Sequence, residues 1–150
     1  MSEDRKVAII TGSSQGLGAS IAIKLSQRNI NLVINYSNNK DMALKIKDEC
    51  VNNGVEAITV QADVSNDDDC KKLVKETIDT FGKVDILVNN AGIIDDSLMI
   101  RMQDDAWEKV IRTNLNSIFY CTTPALKSML TNKWGRILNI DSVVVLRGNV

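Results

Sequence analysis

The residues best placed to do chemistry form one run, Thr11-Gly12-Ser13-Ser14-Gln15-Gly16-Leu17-Gly18, between a short β-branched stretch and an amphipathic one. Glycines at a strand-to-helix turn let the backbone bend tightly and approach a ligand closely. The free N–H groups and dipole of the following helix favour the negative charge of a phosphate. That run alone describes a bare tight turn equally well. Further polar positions recur down the chain: Asp63-Val64, Asn89-Asn90-Ala91-Gly92, Thr113-Asn114-Leu115 and Ser142. Each has a plain structural use. Asp63 can cap a turn ahead of Asp67, Asp68 and Asp69, Asn89 and Asn90 can satisfy backbone groups at a strand end, and Asn114 and Ser142 can bond to nearby backbone. Those uses leave the clustering unexplained, because the polar residues gather at the C-terminal ends of apolar runs, where open α/β sheets bind ligands. The chain has no histidine. The commonest metal ligand and the commonest general base are therefore both missing, no metal site is expected, and chemistry falls to hydroxyls, carboxylates, lysine or a bound cofactor.

The elements that must position these residues follow from periodicity. Five β-branched runs read as strands, at residues 6–11, 31–35, 57–60, 84–88 and 136–140. Between them, Leu17, Ile21 and Leu25 share one helical face, as do Met42, Ile46 and Cys50, and then Cys70, Leu73, Val74, Thr77, Ile78 and Phe81. A longer fourth helix carries Trp107, Val110, Ile111, Ile118, Leu126 and Met129, with Pro124 expected to kink or divide it. Strict alternation of strand and helix calls for right-handed crossovers and a parallel sheet covered on both faces. The expected fold class is α/β, a doubly wound parallel sheet of the Rossmann type with five strands in the order 3-2-1-4-5. No repeat, linker or low-complexity tract interrupts it, and residues 1–150 are expected to form one domain.

With 44% hydrophobic and 25% charged residues, the chain can build a real core. No apolar run is long enough for a membrane span, and the first residues lack the apolar stretch of a secretory signal, so a cytoplasmic location is expected. Cys50, Cys70 and Cys121 are odd in number and form no Cys-x-x-Cys pair, which fits three reduced thiols used as small core residues. A net charge of -1 without a basic block gives no track for nucleic acid.

The glycine spacing, Gly-x-x-x-Gly-x-Gly, resembles the fingerprint of the short-chain dehydrogenase/reductase family. That resemblance extends to Asp63-Val64 after the third strand, Asn89-Asn90-Ala91-Gly92 after the fourth and Asn114 within the long helix, and it covers residues 5–150. Within the family, the segment from Asn90 to Met102 followed by Trp107, together with Trp134-Gly135-Arg136-Ile137 leading into Ser142-Val143-Val144, looks most like 3-oxoacyl-[acyl-carrier-protein] reductases. The resemblance implies a nicotinamide cofactor held by Gly12, Ser14, Gln15, Gly16, Leu17 and Gly18 at the diphosphate. It adds Asn35, Tyr36 and Ser37 beside the adenosine, Asp63 and Val64 at the adenine, and Asn90, Ala91 and Gly92 beyond. It implies two catalytic roles, with Ser142 bonding the substrate carbonyl and Asn114 holding a water in a proton relay. NADP (NADPH) is the expected form, since residues 35–39 carry no acid to hold ribose hydroxyls and repel a 2′-phosphate. Gln15 stands where many NADP-preferring relatives have a base, leaving Lys40 as the nearby cation.

The implied activity is reduction of an acyl-carrier-protein thioester in fatty acid biosynthesis, with no nucleic acid or membrane partner and a homotetramer as the full-length assembly. A reductase or dehydrogenase of another small carbonyl or alcohol, or a nucleotide-binding module without chemistry, are the alternatives. The family's proton donor is the Tyr of a Tyr-x-x-x-Lys motif on the helix after the catalytic Ser, and Val150 precedes that point, so an impaired or inactive fragment is expected. Tyr36-Ser37-Asn38-Asn39-Lys40 matches those letters but lies at the adenosine end, and Tyr120 has no lysine four residues on. Asp141 and Val145 replace residues that are usually small, which changes charge and backbone freedom beside Ser142. Lys133 and Arg136 are candidates for a basic patch facing the acidic carrier protein, or equally two solvated charges at a helix end.

Overall fold

The computed structural model describes residues 5–142; Val143, Val144 and Val145 lie outside the described residues. Five strands run β1 (Val7–Ile10), β2 (Asn31–Tyr36), β3 (Ala57–Gln61), β4 (Ile86–Asn89) and β5 (Arg136–Asn139). They form one sheet in the order β3-β2-β1-β4-β5, every neighbouring pair parallel, as the alternation of elements requires. Five α-helices connect them: α1 (Gly16–Ser26), α2 (Lys40–Asn52), α3 (Asp67–Phe81), α4 (Asp104–Ile111) and α5 (Ser117–Thr131).

Because successive strand residues point to opposite faces, the apolar runs supply two cores. Ile9, Val33, Val60 and Leu87 pack with Leu73 and Val74 of α3 and Cys121, Ala125 and Met129 of α5. Ala8, Ile10, Leu32, Ile34, Ile86 and Val88 pack on the other side with Ala22 of α1 and Ala43 and Cys50 of α2. All three cysteines are free and buried. Cys121 at 3.2 Å, together with burial, pushes the Cys70 thiol up from its ordinary value, and burial does the same at Cys50. Both thiols stay protonated and inert as nucleophiles.

Two helical details differ from the sequence expectation. Leu17 shares the predicted face with Ile21 and Leu25 but is 57% exposed, because the first turn of α1 leaves the sheet to meet the cleft; Ala19 and Ala22 fill the core instead. Pro124 does not divide the helix, and α5 runs through it. The irregularity comes earlier, where Arg112–Asn116 form a π-helical turn between α4 and α5. Such turns insert a residue into the helix and recur at functional sites; this one carries Asn114.

Helix α5 is apolar on two sides. Cys121, Ala125 and Met129 are buried, whereas Phe119 and Leu130 are 68% and 74% exposed and continue the outward stripe of Leu115 and Leu126. Leu126, carried on the same helix as Met129, sits on that outward side. Among the described residues no helix is long and apolar enough to cross a membrane.

Helix α5 ends on Lys133 in the left-handed region, φ 52°, with Trp134 N–H donating to the Met129 carbonyl at 3.1 Å. This six-to-one closure normally uses glycine, since a Cβ costs about 1–2 kcal/mol in that conformation. Lys133→Gly is therefore expected to raise stability by roughly 0.5–1 kcal/mol after the entropy lost with glycine, read as a higher urea midpoint. A lower midpoint would refute this account of the helix end.

Candidate functional site

The C-terminal ends of the strands surround a cleft of about 750 Å³. That is the size range of small-molecule and cofactor sites, and the cleft lies where a doubly wound sheet changes winding direction, between β1 and β4. Its near wall is the turn after β1. Gly12 sits at φ +61°, and a Cβ there would come within 3.0 Å of the Ala91 backbone, so only glycine fits both demands. Gly18, in the first turn of α1, lies so close to the turn that a Cβ would stand 2.6 Å from the Gly12 carbonyl oxygen and 2.5 Å from the Asn90 amide.

Helix α1 enters this wall without a side-chain cap on Gln15, whereas Asn39 caps α2 and Asn66 caps α3 through side-chain oxygens. The first internal bond of α1 is Ala19 N–H to the Gln15 carbonyl. The N–H groups of Gly16, Leu17 and Gly18 thus have no partner within the helix, which is the arrangement that accepts an anion.

Asparagines at and just after the end of β4 and in the π-helical turn tie neighbouring segments together. Asn90 donates through Nδ2 to the Thr11 carbonyl at 2.9 Å, while the Thr11 hydroxyl accepts from the N–H groups of Asn90 and Ala91. Asn89 reaches the other way, donating to Asn139 Oδ1 at 2.9 Å across to β5. Asn114 uses both ends of its amide on one residue: Oδ1 accepts from Ile93 N–H at 2.8 Å and Nδ2 donates to the Ile93 carbonyl at 2.9 Å. The π-helical turn is thereby tied to the segment that follows β4.

On the far side, Asp63 Oδ1 accepts from the N–H and hydroxyl of Ser65, and Asp63 N–H donates to Asp69 Oδ2 at 2.8 Å. The turn-forming use expected for Asp63 is real, and the residue also lines the cleft. Asn35, only 2% exposed, turns its amide inward: Oδ1 accepts from Gly12 N–H at 3.0 Å and Nδ2 donates to the Ala62 carbonyl at 3.1 Å.

Of the residues singled out from sequence, Gly12, Ser14, Gln15, Gly16, Asn35, Tyr36, Ser37, Asp63, Val64, Asn90, Ala91 and Gly92 line the cleft. Leu17, Gly18, Asn114 and Ser142 are outside its lining. Ser142 is exposed after β5, its N–H donating to Asp141 Oδ1 at 2.7 Å. Lys40, the cation expected near the adenosine, opens α2 and is not among the lining residues; Lys72 of α3 and Lys109 of α4 are. Tyr36 is 6% exposed and packs in the second core beside Ala43, so its match to a Tyr-x-x-x-Lys pattern is one of letters.

Residues 6–150 match the family of short chain dehydrogenases. The chain belongs to that family. A 3-oxoacyl-[acyl-carrier-protein] reductase from Staphylococcus epidermidis is 42% identical over 144 residues, a match spanning 96% of this chain and 59% of that protein. One from Synechocystis sp. is 44% identical, spanning 96% of this chain and 58% of its own length. In three dimensions, a crystal structure described as a short-chain alcohol dehydrogenase from Sinorhizobium meliloti superimposes with a TM-score of 0.91 at 26% identity, covering 96% of this chain and 57% of that one. This short-chain dehydrogenase chain spans just under three fifths of the length of the relatives it matches.

Several lining residues are not singled out by the sequence reading. Gln61 and Ala62 could have been inferred from their place at the end of β3, directly before Asp63. Lys72 and Lys109 could not, because helical positions facing a cleft formed by other elements follow no local pattern.

Proposed function

We propose that the protein at full length catalyses NADPH-dependent reduction of 3-oxoacyl-[acyl-carrier-protein] to the 3-hydroxyacyl form in fatty acid biosynthesis, residues 1–150 being its single dinucleotide-binding domain. The names of the relatives in two bacterial groups support the substrate class. Support for the cofactor comes chiefly from α1, whose uncapped N-terminus and close-packed glycines form an anion cradle opening on a cleft long enough for more than a phosphate. The residues present fit a dinucleotide.

The N–H groups at the start of α1 would hold the diphosphate, Asp63 and Val64 the adenine, and Asn90, Ala91 and Gly92 the far ribose. When bound, the nicotinamide supplies hydride to the substrate carbonyl. Ser142 would donate a hydrogen bond to that carbonyl oxygen as negative charge builds on it. Asn114, already bonded twice to Ile93, keeps one N–H and one lone pair with which to hold a relay water. Proton delivery requires a residue beyond these 150. Tyr36 is in the core, and Tyr120 packs against the other core with Pro124, not lysine, four residues on. Residues 1–150 alone are accordingly proposed to be impaired.

No acid stands among residues 35–39, and the acids that do line the cleft, Asp63 and Asp69, are bonded to the turn before α3. This favours NADPH over NADH. The outward stripe of Leu115, Phe119, Leu126 and Leu130 is proposed to pack between copies in a cytoplasmic homotetramer.

Fluorescence titration of the intact protein is expected to give an NADPH dissociation constant at least about tenfold below that for NADH. NADPH at 100 times its dissociation constant should stabilise the fold by about 2.7 kcal/mol. An acetoacetyl thioester should be turned over in preference to simple ketones. Indifference of fluorescence and melting temperature to both nucleotides would end the proposal.

A further inference from the structure

We infer that Asn35 is the positioning residue that presets the diphosphate turn, acting through Gly12 rather than by touching the nucleotide; this rests on the cleft being a dinucleotide site. Every polar atom of Asn35 is engaged in a hydrogen bond. Its Oδ1 accepts from Gly12 N–H at 3.0 Å, and its Nδ2 donates to the carbonyls of Val60 at 3.4 Å and Ala62 at 3.1 Å. Its main-chain N–H donates to the Ser13 hydroxyl oxygen at 3.0 Å, and its carbonyl accepts from Ser13 N–H at 3.0 Å. The Ser13 hydroxyl in turn donates to the Ile10 carbonyl at 2.7 Å. The first two residues of the turn are thus fixed to β2, and through β2 to the end of β3.

A carboxamide is required by the partners. One side of the group meets an N–H and the other meets two carbonyl oxygens, so an aspartate could keep the first bond but would set negative charge against both carbonyls. From the opposite side of the sheet, Asn90 Nδ2 reaches the Gly12 carbonyl at 3.3 Å. Gly12 is therefore held at its N–H by β2 and at its carbonyl by the segment after β4, and its left-handed conformation exists before any ligand arrives. The Gly12 N–H is consumed by the clamp and is not a phosphate donor; that role starts at Gly16. A turn fixed in advance spares the ligand the cost of ordering it.

The test compares the intact protein with Asn35→Ala, which removes the side-chain clamp without adding a charge to the cleft, titrating each with NADPH or NADH, whichever the parent takes more tightly, and with adenosine, which has no diphosphate. Affinity for the dinucleotide should fall at least about tenfold while that for adenosine, followed by ligand-observed NMR, stays within about threefold. Equal weakening of both, or an unchanged dinucleotide constant, overturns the inference, since a merely structural asparagine would lower the melting temperature without separating the two ligands. A parent that binds neither dinucleotide removes the site itself. Should Asn35→Ala not fold, amide exchange on the nucleotide-free parent decides: Gly12 N–H should exchange at least 100-fold more slowly than Gly16 N–H, and equal rates refute the clamp.

Discussion

Gly18→Ala is expected to weaken dinucleotide binding by at least about 100-fold, or about 2.8 kcal/mol. The added methyl has no free space. It would lie 2.6 Å from the Gly12 carbonyl oxygen, 3.0 Å from Ser13 Cα and 2.5 Å from the Asn90 amide nitrogen, none of them the loose end of a flexible side chain. Asn90 cannot swing aside cheaply, because its amide is bonded to the Thr11 and Gly12 carbonyls. Helix α1 must instead back away from the turn, and its unpaired N–H groups move with it. Binding suffers more than folding, since Ala19 and Ala22 still anchor the helix to the sheet. Titration of Gly18→Ala with NADPH, with circular dichroism as the control for folding, provides the check. Affinity within threefold of the parent would show that the close contact between helix and turn does not set the site.

Asp85→Ala should cost about 3–5 kcal/mol of stability and leave nucleotide affinity untouched. Asp85 is 1% exposed at the opposite end of the sheet, at the entry to β4. One carboxylate oxygen accepts from Val7 N–H at 2.9 Å and lies 3.5 Å from Lys83 Nζ; the other meets Lys6 Nζ at 3.4 Å. Lys6 also lies over the Trp134 ring at 4.1 Å, with Arg136 5.0 Å from the same ring. Beginnings of β1, β4 and β5 are thus joined around one buried acid. Truncating it strands a buried N–H and unbalances the cations around it, the situation in which breaking a buried pair is expensive. Asp85→Asn keeps an acceptor for Val7 N–H and should lose less, about 1–2 kcal/mol. Urea unfolding with an unchanged m-value measures both. A midpoint for Asp85→Ala within experimental error of the parent would contradict this assignment.

These two substitutions separate the ends of one sheet. At the C-terminal ends of the strands, glycines and asparagines shape a cleft at the expense of unpaired helix donors. At the N-terminal ends, a satisfied carboxylate contributes stability and offers no cleft. The same strands serve both purposes because the apolar residues of β1, β2 and β4 are buried on both faces and only the strand ends are free to differ.

What the amino-acid order determined by itself was whatever depends on near neighbours. The β-branched runs around Val7, Asn31, Ala57, Ile86 and Arg136 and the 3.6-residue stripes between them dictate strand and helix. Strict alternation then leaves the parallel order 3-2-1-4-5, and the glycine spacing marks the turn after β1. Tertiary structure decided the rest. Asn35 reads as a ligand contact until β3 and the turn after β1 arrive on either side of it, and its bonds span 22 to 27 residues. Lys72 and Lys109 line the cleft because α3 and α4 reach it, which no local pattern announces. In α5, Leu126 and Met129 look alike as letters, yet only Met129 meets the sheet, since an apolar residue records a preference for burial and not the direction from which a partner will come.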